Sequence, residues 1–381
     1  MPESTKAASP SSRRSLAGYL KTASWVPQDS SIGEEWPDGD VVLSARARLA
    51  RNLEAYPFPN RANERDLRRA AQEVRQAAHA DSERLAHLHV IAISPLAAKD
   101  RAALVDARRI SPELADGGAE RYALLDDPGA LTVFINEEDH VRIQSLASGS
   151  GLTAALRLAE DTEQRLSRRL RWARDETFWG YQTASLANVG TGLRLSLLVH
   201  LPALAFLGRL EETLRVIHTL DISVRGAHGE RSEAAGDLYQ VSNAVTFGRS
   251  AGEIVGRVKP VGDHLVRAER EARQEIASGQ ADRLRDAARA AWSRVEAADR
   301  LTAKSALDLL SALRLAAAVG LAPSRTGVPA PDARRFASLI SELRTGAGLA
   351  SPPVPSGAPS AVRDAIGRPA KIRLALRAFY G

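Results

Sequence analysis

Leu43-Ser44-Ala45-Arg46-Ala47-Arg48-Leu49 is the stretch whose reading sets the fold. Apolar Leu43, Ala45, Ala47 and Leu49 alternate with Ser44, Arg46 and Arg48. Side chains of an extended strand point to opposite faces in turn, so this stretch has one apolar face and one face with two arginines. The pattern returns at His140–Leu146, where Val141 and Ile143 alternate with Arg142 and Gln144. It returns again at Leu193–Val199, with Leu193, Leu195, Leu197 and Val199 on one face and Arg194 and Ser196 on the other. Such segments predict an antiparallel sheet with helices behind it and a polar front.

Working outward, further strands are expected at His87–Ser94, Leu131–Asn136, Ile222–Arg225 and Leu238–Phe247, and helices at Glu64–Ala80, Thr153–Arg174 and Leu210–Leu220. Near Pro260 the pattern changes. Residues 263–320 read as Ala/Leu/Arg/Glu helices, 332–345 as another, and Ser351–Ser360 as a Pro/Ser/Gly linker before a last short helix. The expected class is α+β: an antiparallel β-sheet flanked by helices, followed by a helical C-terminal domain. The expected division is a flexible segment over 1–35, a catalytic domain over 36–262, and a helical domain over 263–381 serving dimerisation. No internal repeat is present.

The 381 residues are enough for two domains of ordinary size, and 44% hydrophobic with 26% charged residues is the composition of a globular protein. Lys and Arg exceed Asp and Glu by 52 to 46, a formal charge of +6. No aromatic-plus-basic cluster or base-reading motif accompanies that excess, so nucleic acid is not the expected partner. With no cysteine, disulfides, thiolate metal sites and thiol nucleophiles are excluded. Residues 1–24 lack a signal-peptide core, and the apolar run Leu193–Leu207 is broken by Arg194, His200 and Pro202. The cytoplasm is the expected location, with no membrane association.

Arg46, Arg48, Arg142, Arg194 and Arg225 all lie on strands. A lone strand arginine is usually solvated or ion-paired. Five on one side of a sheet would repel one another unless an anion neutralised them, and guanidinium groups grip phosphate oxygens bidentately. A triphosphate suits that face, although the sequence leaves open whether the five faces coincide. Asn136-Glu137-Glu138-Asp139-His140 places three acids at a strand end. It reads either as a solvated turn or as a carboxylate serving a cation or proton beside the arginines. Arg225-Gly226-Ala227-His228-Gly229-Glu230 reads as a mobile loop able to swing Glu230 over a substrate, or as an ordinary surface loop.

Asn188-Val189-Gly190-Thr191-Gly192-Leu193-Arg194 is a glycine turn feeding a strand, without the Gly-Lys-Ser/Thr ending of a Walker loop. Dinucleotide, zinc-protease and hydrolase motifs are absent, and the histidines show no ligand spacing. Phosphoryl transfer needs positive charge around phosphates and little covalent help. A guanidinium acceptor would need carboxylates to position it and take its proton. The arginines and the two separated glutamates meet both requirements.

Ser44–Asn52 (SARARLARN), Asn136–Gln144 (NEEDHVRIQ), Asn188–Arg194 (NVGTGLR), His200–Leu204 (HLPAL), Arg225–Glu233 (RGAHGERSE) and Gly236–Asn243 (GDLYQVSN) resemble, in order over residues 40 to 260, the phosphagen (guanidino) kinase family. Within it, the chain is similar to the bacterial protein-arginine kinases, which share the short lead-in before the first strand motif. The resemblance implies that Ser44, Arg46, Arg48, Arg142, Arg194 and Arg225 bind ATP, with Mg²⁺ bridging its phosphates. It implies that Glu138 and Glu230 position and deprotonate the acceptor guanidinium, beside Ser185. The partners it implies are protein substrates bearing arginine, an AAA+ protease or a stress repressor, and a second copy in a homodimer.

Three positions depart from the family pattern. Ser185 stands where the family has an active-site cysteine, and Arg108 where it has a histidine near the adenine. The tail element Ala370-Lys371-Ile372-Arg373-Leu374-Ala375 lacks the key charges of the family's phosphoarginine-reading motif. Two further readings stand beside a protein-arginine kinase: a kinase of free arginine or another small guanidine, and a weakly active adaptor that binds arginine- or phosphoarginine-bearing proteins.

Overall fold

The stretch that opened the sequence reading forms β1 (Val42–Arg51), an inner strand of an eight-stranded sheet. The computed structural model describes residues 36–106, 109–116, 118–127, 129–218, 220–226, 234–321, 333–345 and 360–380. The sheet's other strands are β2 (His89–Ala92), β3 (Tyr122–Leu125), β4 (Leu131–Ile135), β5 (Val141–Ser148), β8 (Leu193–His200), β9 (Ile222–Gly226) and β10 (Leu238–Asn243). Their order is β2-β3-β4-β5-β1-β8-β10-β9, and every pairing is antiparallel. A separate small hairpin joins β6 (Arg174–Asp175) to β7 (Gly180–Tyr181).

The expected strands form, with shifted ends. β3 is an addition to them: its short apolar run Tyr-Ala-Leu-Leu has no alternation from which a strand could be told from a helix. α4 (Leu152–Ser167) stops before the expected Arg174, and the chain beyond it turns back so that Trp172 bridges Leu53.

The apolar face of the sheet carries Ala45, Ala47, Leu49, Ile143, Leu195 and Leu197, all buried. α4 lies against it, with the Ser145 hydroxyl donating to the Ala155 carbonyl at 2.6 Å. α7 (Ala251–Gly279) packs so closely that a Cβ on Gly262 would come 2.4 Å from a methyl of Leu197. On the other face, α2 (Ala98–Asp106) and α3 (Pro112–Ala115) cover only the β2–β4 end, over a small core of Ile93, Leu104, Leu114, Leu125 and Phe134. Among the described residues, the rest of that face is lined by polar side chains of β1, β5, β8 and β10.

α7 runs through Pro260, where the sequence suggested a break. A Ser250–Glu253 capping box starts the helix, and buried Ile254, Val258, Val261 and Leu265 hold it on both sides of the exposed proline. The expected boundary between residues 262 and 263 falls inside this helix. α8 (Ala281–Ala297), α9 (Ala303–Ala318), α10 (Ala333–Thr345) and α11 (Ser360–Tyr380) follow, and their apolar residues join the same core as the sheet. A buried charge network ties the two regions. Glu269 on α7 accepts from the Ala203 and Leu204 amides at the start of α5 (Pro202–Phe206), and Arg273 bridges Glu269 at 3.0 Å and Asp40 at 3.2 Å. The lead-in over 1–35 and the linker Ser351–Ser360 fall outside the described residues, apart from Ser360 at the start of α11.

Candidate active site

Strand register puts the arginines on one face. Arg48 on β1 lies opposite Arg194 on β8 and opposite Gln144 on β5, while Arg142 on β5 lies opposite Ala50. Arg46 pairs with Ser196, which pairs with Ser242 and in turn with Ser223. Arg225 on the edge strand lies opposite Gln240, then Leu198, then Ser44. Directly opposed residues share a face, so all five arginines, with Ser44, sit on the polar front. The condition that the sequence left open is met.

Three of these guanidinium groups donate to neutral neighbours. Arg48 Nε donates to Gln144 Oε1 at 3.1 Å, Arg194 Nη2 to Ser242 Oγ at 3.2 Å, and Arg225 Nε to Ser223 Oγ at 3.2 Å. Burial, then the charges of Arg142 and Arg194, push the Arg48 pKa down to about 9. An anion placed among them would reverse that cost.

The acidic triplet divides its labour. Asn136 has φ 58°, a left-handed conformation that asparagine tolerates, and it makes the tight turn from β4 to β5. The Glu137 side chain is fully buried; it bridges Arg142 Nη1 at 2.6 Å and accepts a short hydrogen bond from the Ser111 hydroxyl at the start of α3. Asp139 is buried too, and its Oδ1 accepts from Asn52 Nδ2 at 2.6 Å and from the Ala184 amide at 2.7 Å. Glu138 is the exposed member, with 44% of its side chain accessible and Oε2 at 3.3 Å from Arg142 Nη2. Partial burial, then the neighbouring Asp139, raises its pKa.

Ser185 is half-buried on the segment that Asp139 pins through Ala184. Its carbonyl accepts from the Thr183 hydroxyl at 2.8 Å and from the Asn188 amide at 3.0 Å. Beside this segment opens a cavity of about 380 Å³, lined by Asn60, Arg121, Asn136, Glu137, Glu138 and Ala184 among others. The five arginines stand outside its lining, so a carboxylate-edged pocket adjoins an arginine-covered sheet. Glu230 and Arg108 lie outside the described residues.

The glycine turn is structural. Gly190 has φ +106°, and a Cβ there would fall 2.7 Å from the Thr246 carbonyl oxygen and 2.8 Å from Phe247 Cα. Arg51, adjacent to the site arginines in sequence, turns away and pairs with Glu163 at 2.6 Å. Sequence reasoning passed over Glu137, Asp139, Asn52, Ser111 and Gln144, which hold the site from beneath; three acids in a row did not reveal which one faces the cleft.

Residues 69–272 match the profile of the ATP:guanido phosphotransferase, C-terminal catalytic domain. The chain belongs to this family. It is 36% identical over 290 residues to the protein-arginine kinase of Halothermothrix orenii, covering 76% of this chain and 82% of that one. It is 39% identical over 283 residues to the protein-arginine kinase of Moorella thermoacetica, covering 74% and 81%. Among solved structures, the substrate-free duplicated taurocyamine kinase of Schistosoma mansoni is similar at a TM-score of 0.54 and 27% identity, covering 69% of this chain and 39% of that longer one. The chain is thus an ATP:guanido phosphotransferase with the phosphagen kinase sheet.

Arg373 Nη1 donates to the carbonyls of Val295, Glu296 and Ala298, capping the C-terminal end of α8.

Proposed function

We infer that this phosphotransferase is a protein-arginine kinase, moving the γ-phosphoryl of ATP to a guanidinium nitrogen of arginine side chains in proteins. The observation that carries the reading is the gathering of Arg46, Arg48, Arg142, Arg194 and Arg225 on one sheet face with Glu138 at its edge. The names of the relatives supply the acceptor class. In this reading Ser44 and the five arginines hold the triphosphate and stabilise charge that spreads over its equatorial oxygens. A P–N bond forms as the bond from phosphorus to the β–γ bridging oxygen breaks, and ADP departs.

Glu138, with Glu230, orients the acceptor guanidinium and takes the proton it releases. Ser185 donates or accepts a hydrogen bond there without adding charge. Among the described residues no cluster of three His, Asp or Glu forms a metal site. Mg²⁺ bound with ATP would supply neutralisation of phosphate charge beside the five arginines.

Cytoplasmic location, a homodimer, and action on an AAA+ protease's clients or a stress repressor are proposals that rest on the family likeness. No helix among the described residues is long and apolar enough to cross a membrane. Among the described residues of the last two helices, Phe336, Leu339, Ile340, Leu343, Ile372 and Leu376 are buried in the chain's own core while Leu374 is exposed. The deciding experiment is phosphoamino-acid analysis of a basic protein after incubation with Mg-ATP. Acid-labile phosphate on arginine is expected, and label on Ser, Thr or Tyr alone would overturn the reading.

A further inference from the structure

Most exposed apolar side chains of this protein are scattered singly, as on any surface. Phe178, Trp179 and Phe247 are different: they are 67%, 51% and 37% accessible, yet their rings touch one another at centroid distances of 5.1, 5.3 and 5.4 Å. A contiguous exposed aromatic cluster is costly to leave in water and marks a contact surface.

The hairpin that carries two of the rings is ordered. Asp175 Oδ1 accepts from the Thr177 amide and hydroxyl and from the Phe178 amide at 2.9 Å, fixing the tip between β6 and β7. At its far side Gly180 meets the Gly190 backbone, and the Thr246 hydroxyl, next to Phe247, donates to the carbonyls of Ala187 and Val189. The patch is thus built onto the segment that begins at Ser185. Leu186, 87% accessible, stands between them. Asp139 fastens the other end of that segment, at Ala184, to the turn that presents Glu138. The segment that starts at Ala184 in the pocket lining thus runs through Ser185 and Leu186 to the Ala187 and Val189 carbonyls, which hold the loop carrying Phe247.

We propose that Phe178, Trp179 and Phe247 are the docking surface for the polypeptide that carries the acceptor arginine, receiving an aliphatic or aromatic side chain a few residues from it. This rests on the protein-arginine kinase reading. None of the three rings lines the pocket that holds Glu138, whereas an extended chain advances about 3.3 Å per residue and returns a side chain to the same face every second residue. The 184–189 segment joins the pocket to the patch, and a polypeptide is the occupant that spans both.

The test uses the full chain and peptides with one arginine in a Gly/Ser background, with or without Leu or Phe two to four residues away. Wild type is expected to show a KM at least about tenfold lower for the apolar-flanked peptides, the effect of burying one such side chain. Phe178→Ser/Trp179→Ser should erase that difference while leaving kcat and the plain peptide unchanged. No preference in wild type, or a preference that survives in the variant, overturns the proposal. So does a variant whose oligomeric state changes in light scattering while the preference persists, since a second copy would then cover the patch. Should no peptide accept phosphate, the kinase reading fails. Anisotropy of labelled peptides with citrulline for arginine then decides the patch alone: binding that needs both Leu and the two rings sustains it, and any other result overturns it.

Discussion

Arg48 on β1 and Arg194 on β8 stand directly opposite each other in the antiparallel register, two like charges on one face. Opposed side chains of neighbouring strands approach to about 5 Å, where like charges destabilise the sheet. Together with burial and Arg142, this pushes the Arg48 pKa down to about 9. A polyanion bound among these groups would oppose that shift. Arg48→Gln is expected to leave thermal stability of the free protein equal or higher and to weaken ATP binding at least about tenfold. Differential scanning fluorimetry with and without tripolyphosphate checks both signs. A destabilised free variant that still binds ATP normally would refute the account.

Glu138 and Glu137 predict opposite phenotypes although they are adjacent. Glu138→Gln removes the exposed carboxylate that serves the acceptor and should lower kcat at least about 100-fold with ATP affinity nearly unchanged. Glu137→Gln removes the buried partner of Arg142 and Ser111 and should destabilise the fold by about 3 kcal/mol. Steady-state kinetics beside urea unfolding separates the two; an unfolded Glu138→Gln would exchange the roles.

Ser185→Cys tests the departure from the family pattern. The segment is held by backbone bonds of Ser185 and by Asp139, so the fold should tolerate the change. A thiol with a pKa near ~8.5 can supply a negative charge that a hydroxyl cannot. kcat/KM should rise, acquire a new alkaline limb and become sensitive to alkylation, while the cysteine-free wild type stays insensitive. Unchanged or lower kcat/KM would show a site already adapted to serine.

His140 gives the pH dependence of stability. It is fully buried, its Nδ1 accepts from the Leu53 amide at 3.2 Å, and burial lowers its pKa to about 4. Burial, then Arg314 and Arg273, likewise lowers that of His200. A histidine with a depressed folded pKa contributes stability that is complete above the unfolded value near 6.5. That stability is lost as pH falls towards about 4, because the unfolded chain takes up the proton first. Unfolding free energy should fall by about 1.4 kcal/mol per pH unit per histidine in that window. His140→Asn should remove one proton from the slope in denaturant titrations at pH 4.5 to 6.5. An unchanged slope would count against a neutral buried His140.

The strands β1, β5 and β8 were legible because alternation at period two is a local property, and each carried its arginines where they could be counted. Arg46, Arg48, Arg142 and Arg194 were identified that way. β3 was not, since a short apolar run fits either element and only its neighbours choose between them. Pro260 lies inside α7 because buried residues on both sides hold the helix, a packing effect that local propensity does not carry.

What the sequence determined by itself was the chemistry available: a cysteine-free chain with arginines on strand faces and carboxylates at two strand ends. Only the tertiary structure decided that this chemistry converges. Inserting β1 between β5 and β8 joins it to segments about 100 and about 150 residues away, and antiparallel register alone places Arg48 opposite Arg194 and Arg142 on the same face. Packing also assigned the acids. Burial forced Glu137 onto Arg142 and Asp139 onto Asn52 and Ala184, because a carboxylate taken out of water must find charge or hydrogen bonds. Glu138 was left at the mouth of the cleft, a choice that depends on which side of a turn faces solvent and so cannot be written in three consecutive acidic letters.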